Sequence, residues 1–409
     1  MDKTTLAYWQ DKAAALAIEG RAFIGGEYRA AENGRTFDCV SPIDGKVLVK
    51  VADCGEADVN AAVSAARRAF EAGVWSGLNP RQRKATLLKW AALIREHLDE
   101  LSLLETLDAG KPIGDTTTVD VPGAAYCVEW FAEAIDKVGG EVVPADQHLV
   151  GLVTREPLGV VAAVVPWNFP ILMASWKFGP ALAAGNCVVL KPSEKSPLTA
   201  IRVAQLAHQA GIPAGVFNVV PGGGEPGKLL ALHGDVDCLA FTGSTNVGKQ
   251  IMQYAGQSNL KRVWLELGGK WRAEAKLLHG GSRVQRESGG FYIEPTVFDV
   301  STHDAKIARE EIFGPVLSVI TFDTIDQAVQ IANDSDYGLA AAVWTSNLTT
   351  AHEVSRRLRA GTVWVNCYDE GGDMNFPFGG YRQSGNGRDK SLHALEKYTE
   401  LKSTLVRLR

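Results

Sequence analysis

The sequence is short of several things, and each shortage removes a class of function. It has no run rich in lysine and arginine, and its formal net charge is −5, so nothing in it asks for a nucleic-acid partner. It has no stretch of eighteen apolar residues. Its start, Met1-Asp2-Lys3-Thr4-Thr5-Leu6, mixes charged and polar side chains where a secretory leader would be apolar. A cytoplasmic location is therefore expected. The cysteines (Cys39, Cys54, Cys127, Cys187, Cys238 and Cys367) form no CxxC pair. That argues against a zinc knuckle or a thioredoxin-like centre and for free thiols in a reducing compartment. The histidines show neither HxxxH nor HExxH spacing, so a catalytic metal is not expected. Repeats and low-complexity segments are lacking too.

What is there is the composition of a globular protein. With 409 residues, 46% of them hydrophobic, the chain can bury a large core and suggests two or three domains. Apolar spacings of three and four predict helices over Leu6–Ile18, Val59–Ala72, Arg81–Leu107 and about Pro122–Lys137. Residues 139–156 change character: Gly139-Gly140 leads into a β-hairpin pattern that stands off the body. From Val160 onward, short β-branched runs alternate with helices. Strands are expected at Val160–Val165, Cys187–Leu190, Phe217–Val220, Cys238–Phe241 and Val263–Leu267. Continuous apolar strands separated by helices predict a doubly wound, Rossmann-like parallel sheet covered on both faces. After residue 290 the alternation resumes, with strands at Val316–Phe322, Ala340–Thr345 and Thr362–Val365. Helices are expected at Ile325–Asn333 and Thr349–Leu358. The tail Thr399–Leu408 predicts an edge strand that pairs with the 139–156 hairpin of its own or a neighbouring chain.

Candidate chemistry gathers at strand ends. Gly222-Gly223-Gly224-Glu225-Pro226-Gly227 matches GxGxxG, but it follows the third strand rather than the first. The acidic residue expected about twenty positions on is not obvious. A glycine-rich turn beside a cofactor is the preferred reading, ahead of a full pyrophosphate cradle. Phe241-Thr242-Gly243-Ser244-Thr245-Asn246-Val247-Gly248 is the better anion site, because a strand ends, a glycine permits close approach and a helix begins. A plain N-capped turn fits the same residues. Lys191-Pro192-Ser193-Glu194 follows the second strand, and Glu194 suits ribose hydroxyls and repels a 2′-phosphate. That favours NAD, with Lys191 and Lys195 leaving NADP open. The alternative is a solvated charged loop. Pro166-Trp167-Asn168-Phe169-Pro170 ends the first strand. Asn168 can donate to an oxyanion, an effect worth roughly 3–4 kcal/mol in comparable sites, or be an ordinary turn asparagine. Glu266, near the end of an apolar strand, reads as a desolvated general base or as an ion-paired strand-end glutamate.

Six segments in this order, PWNFP, KPSEKSP, FTGST, LELGGK, EEIFGPV and PFGGYRQSGNGR, resemble the NAD(P)-dependent aldehyde dehydrogenase superfamily over nearly the whole chain. LAYWQDKA and GGYRQSGNGRDKSLHALEKYTELK are most similar to the bacterial γ-glutamyl-γ-aminobutyraldehyde dehydrogenases of putrescine breakdown. The resemblance implies an aldehyde dehydrogenase-like α/β fold. Residues 1–138 and 157–268 would bind NAD, 269–398 would form the catalytic domain, and 139–156 with 399–409 an oligomerisation arm for a homodimer or homotetramer. It implies oxidation of an ω-amino or γ-glutamylamino aldehyde to its acid through a cysteine thioester. Asn168 would help form the oxyanion hole and Glu266 would activate the hydrolytic water. Lys191 and Glu194 would hold the adenosine ribose, and Gly243 and Ser244 the pyrophosphate. Trp167 and Phe241 would line the cleft, and Glu311 and Phe313 would hold the nicotinamide ribose. Pro166, Gly224, Val247 and Leu267 complete the implied NAD set. Asp369, Glu370 and Asp373 would attract a cationic substrate tail or form a solvated acidic loop.

One departure stands out. In the family, several tens of residues carrying the nucleophilic cysteine follow LELGGK, whereas here the chain passes straight from Lys270 to Trp271-Arg272-Ala273-Glu274. This chain therefore lacks the nucleophile, either through a true internal deletion or because a segment is unrecorded at that point. Cys367, in Val365-Asn366-Cys367-Tyr368, is nearest to the expected substrate pocket but a poor substitute. A nucleotide-binding or assembly subunit without activity is the rival reading. An unrelated Rossmann reductase would need a Tyr-x-x-x-Lys pair, and the spaced match Tyr398/Lys402 lies in the tail strand.

Overall fold

The computed structural model describes residues 5–268, 275–300, 311–368 and 373–408. The junction residues 269–274, and with them Lys270 and Trp271, lie outside the described residues, as do Asp369 and Glu370.

Five parallel strands form the main sheet: Val160–Val164, Cys187–Lys191, Phe217–Val219, Cys238–Gly243 and Arg262–Leu267. Arg262–Leu267 lies at one edge, followed across the sheet by Cys238–Gly243, Val160–Val164, Cys187–Lys191 and Phe217–Val219. An antiparallel hairpin, Ala22–Ile24 with Glu27–Arg29, completes the far edge. The first parallel strand sits in the middle and the chain winds outward from it in both directions, which opens a crevice at the carboxyl ends. Every residue of VVAAV and CVVLK is buried, as a sheet covered on both faces requires. The covering helices Pro170–Ala184 and Leu198–Ala210 end on left-handed Gly185 and Gly211, where a side chain would be strained.

The helix expected over Arg81–Leu107 is two helices, Pro80–Glu96 and Leu98–Ala109, broken at His97. The His97 ring hydrogen-bonds Glu100, a local contact that apolar spacing cannot register. The first helix ends at Ala14 rather than Ile18. Val121–Ala134 is preceded by a π-helical turn at Thr116–Asp120. The hairpin of Thr36–Val40 and Val47–Ala52 had no counterpart in the sequence reading.

Leu149–Pro157 is the central strand of a three-stranded antiparallel sheet, with Glu141–Val143 on one side and Thr399–Arg407 on the other. Thr399 pairs with Pro157 and Arg407 with Leu149, so the tail strand joins the hairpin of its own chain.

Between residues 275 and 365 the strands form separate small sheets. One holds Lys276–His279, Thr296–Asp299 and Val316–Val319, and another Ala340–Val343 with Thr362–Val365. Their described core is a cluster around Val300, and Leu317, Phe322 and Trp344 are exposed. The later part of the stretch expected as the catalytic domain, 269–398, packs on the main sheet instead. Met374, Ala394, Leu395 and Tyr398 pack into the core of the main sheet. Asn186 donates to the Tyr398 carbonyl and Trp264 to that of Lys397, which ties this stretch to the main sheet's strands.

Candidate active site

Strand register brings the candidate residues to one edge. Val164 pairs with Lys191 on one side and Phe241 on the other. Phe241, Thr242 and Gly243 pair with Leu265, Glu266 and Leu267. The turn of Pro166, Trp167 and Asn168 therefore leaves the middle strand between Lys191 and the Gly243–Ser244 end, with Glu266 one strand further. These groups share the carboxyl edge of one sheet.

The Trp167–Phe169 turn is held from several directions. Pro170 starts the next helix at its first turn, where proline's missing N–H is no loss. Ser196 donates to the Trp167 carbonyl at 3.2 Å. The Lys111 ammonium lies 3.6 Å from the Phe169 ring centroid and is 2.7 Å from buried Asp120. Glu105, buried, accepts from the Ile171 N–H, and burial with Asp120 nearby pushes its carboxyl up to about 8. Within this frame the Asn168 side-chain oxygen is buried and has no partner among the described residues.

Lys191 is buried and sits 3.7 Å from half-exposed Glu194. Burial pulls its ammonium below the ordinary range, and Glu194 opposes the shift. Ser244 caps helix Thr245–Gln257, accepting from Val247 N–H, so its N-cap role is real. The glycines beside it are closely packed. A Cβ on Gly243 would lie 2.5 Å from the Phe241 ring, and one on Gly248 would lie 2.6 Å from Leu267. Gly224 opens helix Gly224–Leu232 with free space around it. Across the crevice the Phe313 ring meets Trp167 edge-on at 5.2 Å, and the Glu311 carboxylate abuts Gly268. Free helix N-terminal N–H groups, close-approach glycines and a carboxylate by the second strand form a cradle that fits a dinucleotide.

Glu266 is 6% exposed, and neither carboxylate oxygen has a partner among the described residues, so it is not an ion-paired strand-end glutamate. The backbones of Gly379 and Gly387 press against it, since a Cβ on either would fall within 3 Å of Oε1 (2.9 and 2.8 Å). Behind it Asp389 is buried, with Lys177 on one oxygen and Lys397 on the other. Burial first, and Asp389 second, push the Glu266 carboxyl up to about 8, against the pull of Lys177, Lys397 and Arg388. The sequence reading missed this charge cluster. Lys177 carried a signal, because it is the one charged residue in PILMASWKFGPALAA, but Asp389 and Lys397 carried none.

The thiols separate cleanly. Burial pushes Cys39, Cys127, Cys187 and Cys238 up to about 12 and raises Cys54 as well, so none of these is a ready thiolate. Cys367 is half-buried beyond strand Thr362–Val365. Asp373 is engaged by the Asn375 backbone and side-chain amides. Tyr398 is buried while Lys402 pairs with Glu156, so they form no reductase pair.

The aldehyde dehydrogenase family model matches residues 28–273 and 271–404. This chain belongs to the aldehyde dehydrogenase family. It is 47% identical to the Escherichia coli (strain K12) NADP/NAD-dependent aldehyde dehydrogenase PuuC, over 98% of this chain and 99% of that one. It is 70% identical to a solved γ-glutamyl-γ-aminobutyraldehyde dehydrogenase from Burkholderia cenocepacia J2315, with a TM-score of 0.97 over 99% of this chain and 100% of that one. An indole-3-acetaldehyde dehydrogenase solved with NAD⁺ is 52% identical, with a TM-score of 0.96 over 98% and 99% of the two chains. The activity is NAD-dependent oxidation of an aldehyde, and these relatives, all described as dehydrogenases, give no support to an inactive subunit. The match is nevertheless split at 271–273. The alignment with PuuC runs over 489 positions against 409 residues here, so at least 80 positions of that relative face no residue of this chain. No helix among the described residues is long and apolar enough to cross a membrane.

Proposed function

We propose that the aldehyde is an ω-amino or γ-glutamylamino aldehyde of putrescine breakdown, oxidised to its acid in the cytoplasm by a homodimer or homotetramer assembled through the 139–156 and 399–409 arm. The observation that carries the catalytic reading is Glu266: a buried carboxyl with no partner among the described residues, on the strand-end edge that also bears Asn168. When bound, NAD⁺ supplies the hydride acceptor. Lys191 and Glu194 would hold its adenosine ribose, and Gly243, Ser244 and Val247 would meet the pyrophosphate at a helix N-terminus. Pro166, Trp167, Gly224, Phe241 and Leu267 would line the cleft, while Glu311 and Phe313 would hold the nicotinamide ribose. Glu194 favours NAD over NADP.

Asn168 donates its amide to the oxygen that gains charge as the carbonyl is attacked. Glu266 takes the proton of the water that hydrolyses the acyl group, and the charge cluster behind it receives the resulting change in charge. The attacking thiolate belongs to the segment that relatives carry at the 271–273 junction, since the buried thiols here are held protonated.

The test compares kcat/KM for γ-glutamyl-γ-aminobutyraldehyde, an ω-aminoaldehyde and a plain aliphatic aldehyde, each with NAD and NADP. Preference for the first two, with NAD ahead, supports the reading, and equal efficiencies sink it. Intact mass on the same sample distinguishes the two accounts of the junction: 43.9 kDa is the 409-residue polypeptide.

A further inference from the structure

The buried cluster behind Glu266 contains one more cation than its aspartate needs. Asp389 is fixed by reciprocal backbone hydrogen bonds with Phe378, 2.7 and 2.6 Å long. Its two oxygens are each occupied, Oδ2 by Lys177 from helix Pro170–Ala184 and Oδ1 by Lys397 from the end of the short His393–Glu396 helix. Both lysines are buried. Lys397 is also tied to the strand of Glu266, because its carbonyl accepts from Trp264 Nε1 at 3.0 Å, two residues before Glu266.

We propose that Lys397 sets the proton affinity of Glu266, as the second cation of a four-group charge balance with Lys177 and Asp389. This rests on Glu266 being the base of the proposed function. With Glu266 protonated, the two ammoniums and one carboxylate carry a net charge of one; when Glu266 ionises, the cluster becomes neutral. Remove Lys397 and the order reverses. The cluster is then neutral while Glu266 keeps its proton, and ionisation creates an uncompensated buried negative charge. Lys397 therefore makes the basic form attainable in a pocket whose burial otherwise forbids it.

The other groups around Glu266 and this cluster do not substitute for Lys397. Arg388 is turned to the carbonyls of Gly380 and Gly387, at 2.9 and 2.7 Å. Tyr398 is buried, its phenol held well above the ordinary range by burial first and then by Asp389, and its hydroxyl has no partner among the described residues. Cys127 and Cys238 stay protonated thiols. Glu311, at Gly268, adds charge of the wrong sign.

The experiment is an infrared pH titration of the full chain, following the carboxylic C=O band that disappears in Glu266→Gln. Lys397→Met should raise the midpoint by about one pH unit or more, a tenfold gain in proton affinity, and Lys397→Arg should return it to the wild-type value. Asp389→Asn, which leaves two ammoniums facing Glu266, should lower it and keeps the proposal testable if Lys397→Met does not fold. A midpoint unmoved or lowered in Lys397→Met, or raised in Asp389→Asn, overturns the proposal. The readout is one proton, not turnover. A failed substrate assay with the titration intact would therefore count against the substrate reading alone.

Discussion

The two halves of this chain use the same local vocabulary and end differently. In the cofactor half, apolar strands are wholly buried and helices lie over both faces. In the second half, helices Ile325–Asn333 and Leu348–Arg357 are as well capped, by Thr324 and Asn347, yet each buries a single residue, Val329 and Ala351. Strand Thr362–Val365, apolar at three of its four positions, buries none of them fully. Capping and pattern form the elements, but burial needs a partner surface. The family match divides at residues 271–273, at the start of this half.

If the chemistry resides in the cofactor half, the largest effect should come from Glu266→Gln. Turnover should fall on the order of 10²–10⁴-fold while calorimetric NAD affinity stays near wild type; joint loss of both would mean that Glu266 shapes the cleft instead. Next, Asn168→Ala should lower kcat by about 10²–10³-fold, with KM little changed. A pure KM effect would remove the oxyanion role. Hydrogen exchange tests the contrast directly. Amides of Ala340–Val343 and Thr362–Val365 should exchange about 100-fold or more faster than those of Val160–Val164, because local opening is cheapest where little is buried. Equal protection would show the halves to be equally consolidated. The smallest effect concerns pH. Glu266 holds its proton more tightly folded (about 8) than its ordinary carboxyl value of 4.5. Its contribution is therefore present below that lower value and is lost as pH rises toward 8, at up to about 1.4 kcal/mol per unit. Denaturant titrations should show this decline in the wild type relative to Glu266→Gln; a difference that grows with pH would reverse the sign.

Much of the cofactor half was legible because its strands are short, uniformly apolar and punctuated by Gly, Pro and helix caps. Lys191, Ser244 and Glu266 were found by their places at strand ends, which register alone converts into proximity. The break at His97 was not legible, since a ring-to-carboxylate contact leaves no periodic trace. Nor were Asp389 and Lys397, which reach Glu266 only because the tail folds back across the sheet. Past residue 275, the sequence named three strands and two helices near their observed bounds, missed strands Lys276–His279 and Thr296–Asp299, and could not show the isolation of these elements, because a pattern of apolar residues states what wants covering and not whether a cover exists.

The contact between Gly248 and Leu267 has a consequence for inheritance. Leu267 follows Glu266, and Gly248 lies in the first turns of the helix that Ser244 caps. A methyl group at 248 would press on the tip of the Leu267 side chain, which would have to turn aside. A change in the helix that Ser244 caps is thus felt at once beside the carboxyl, and the two positions vary most safely as a pair.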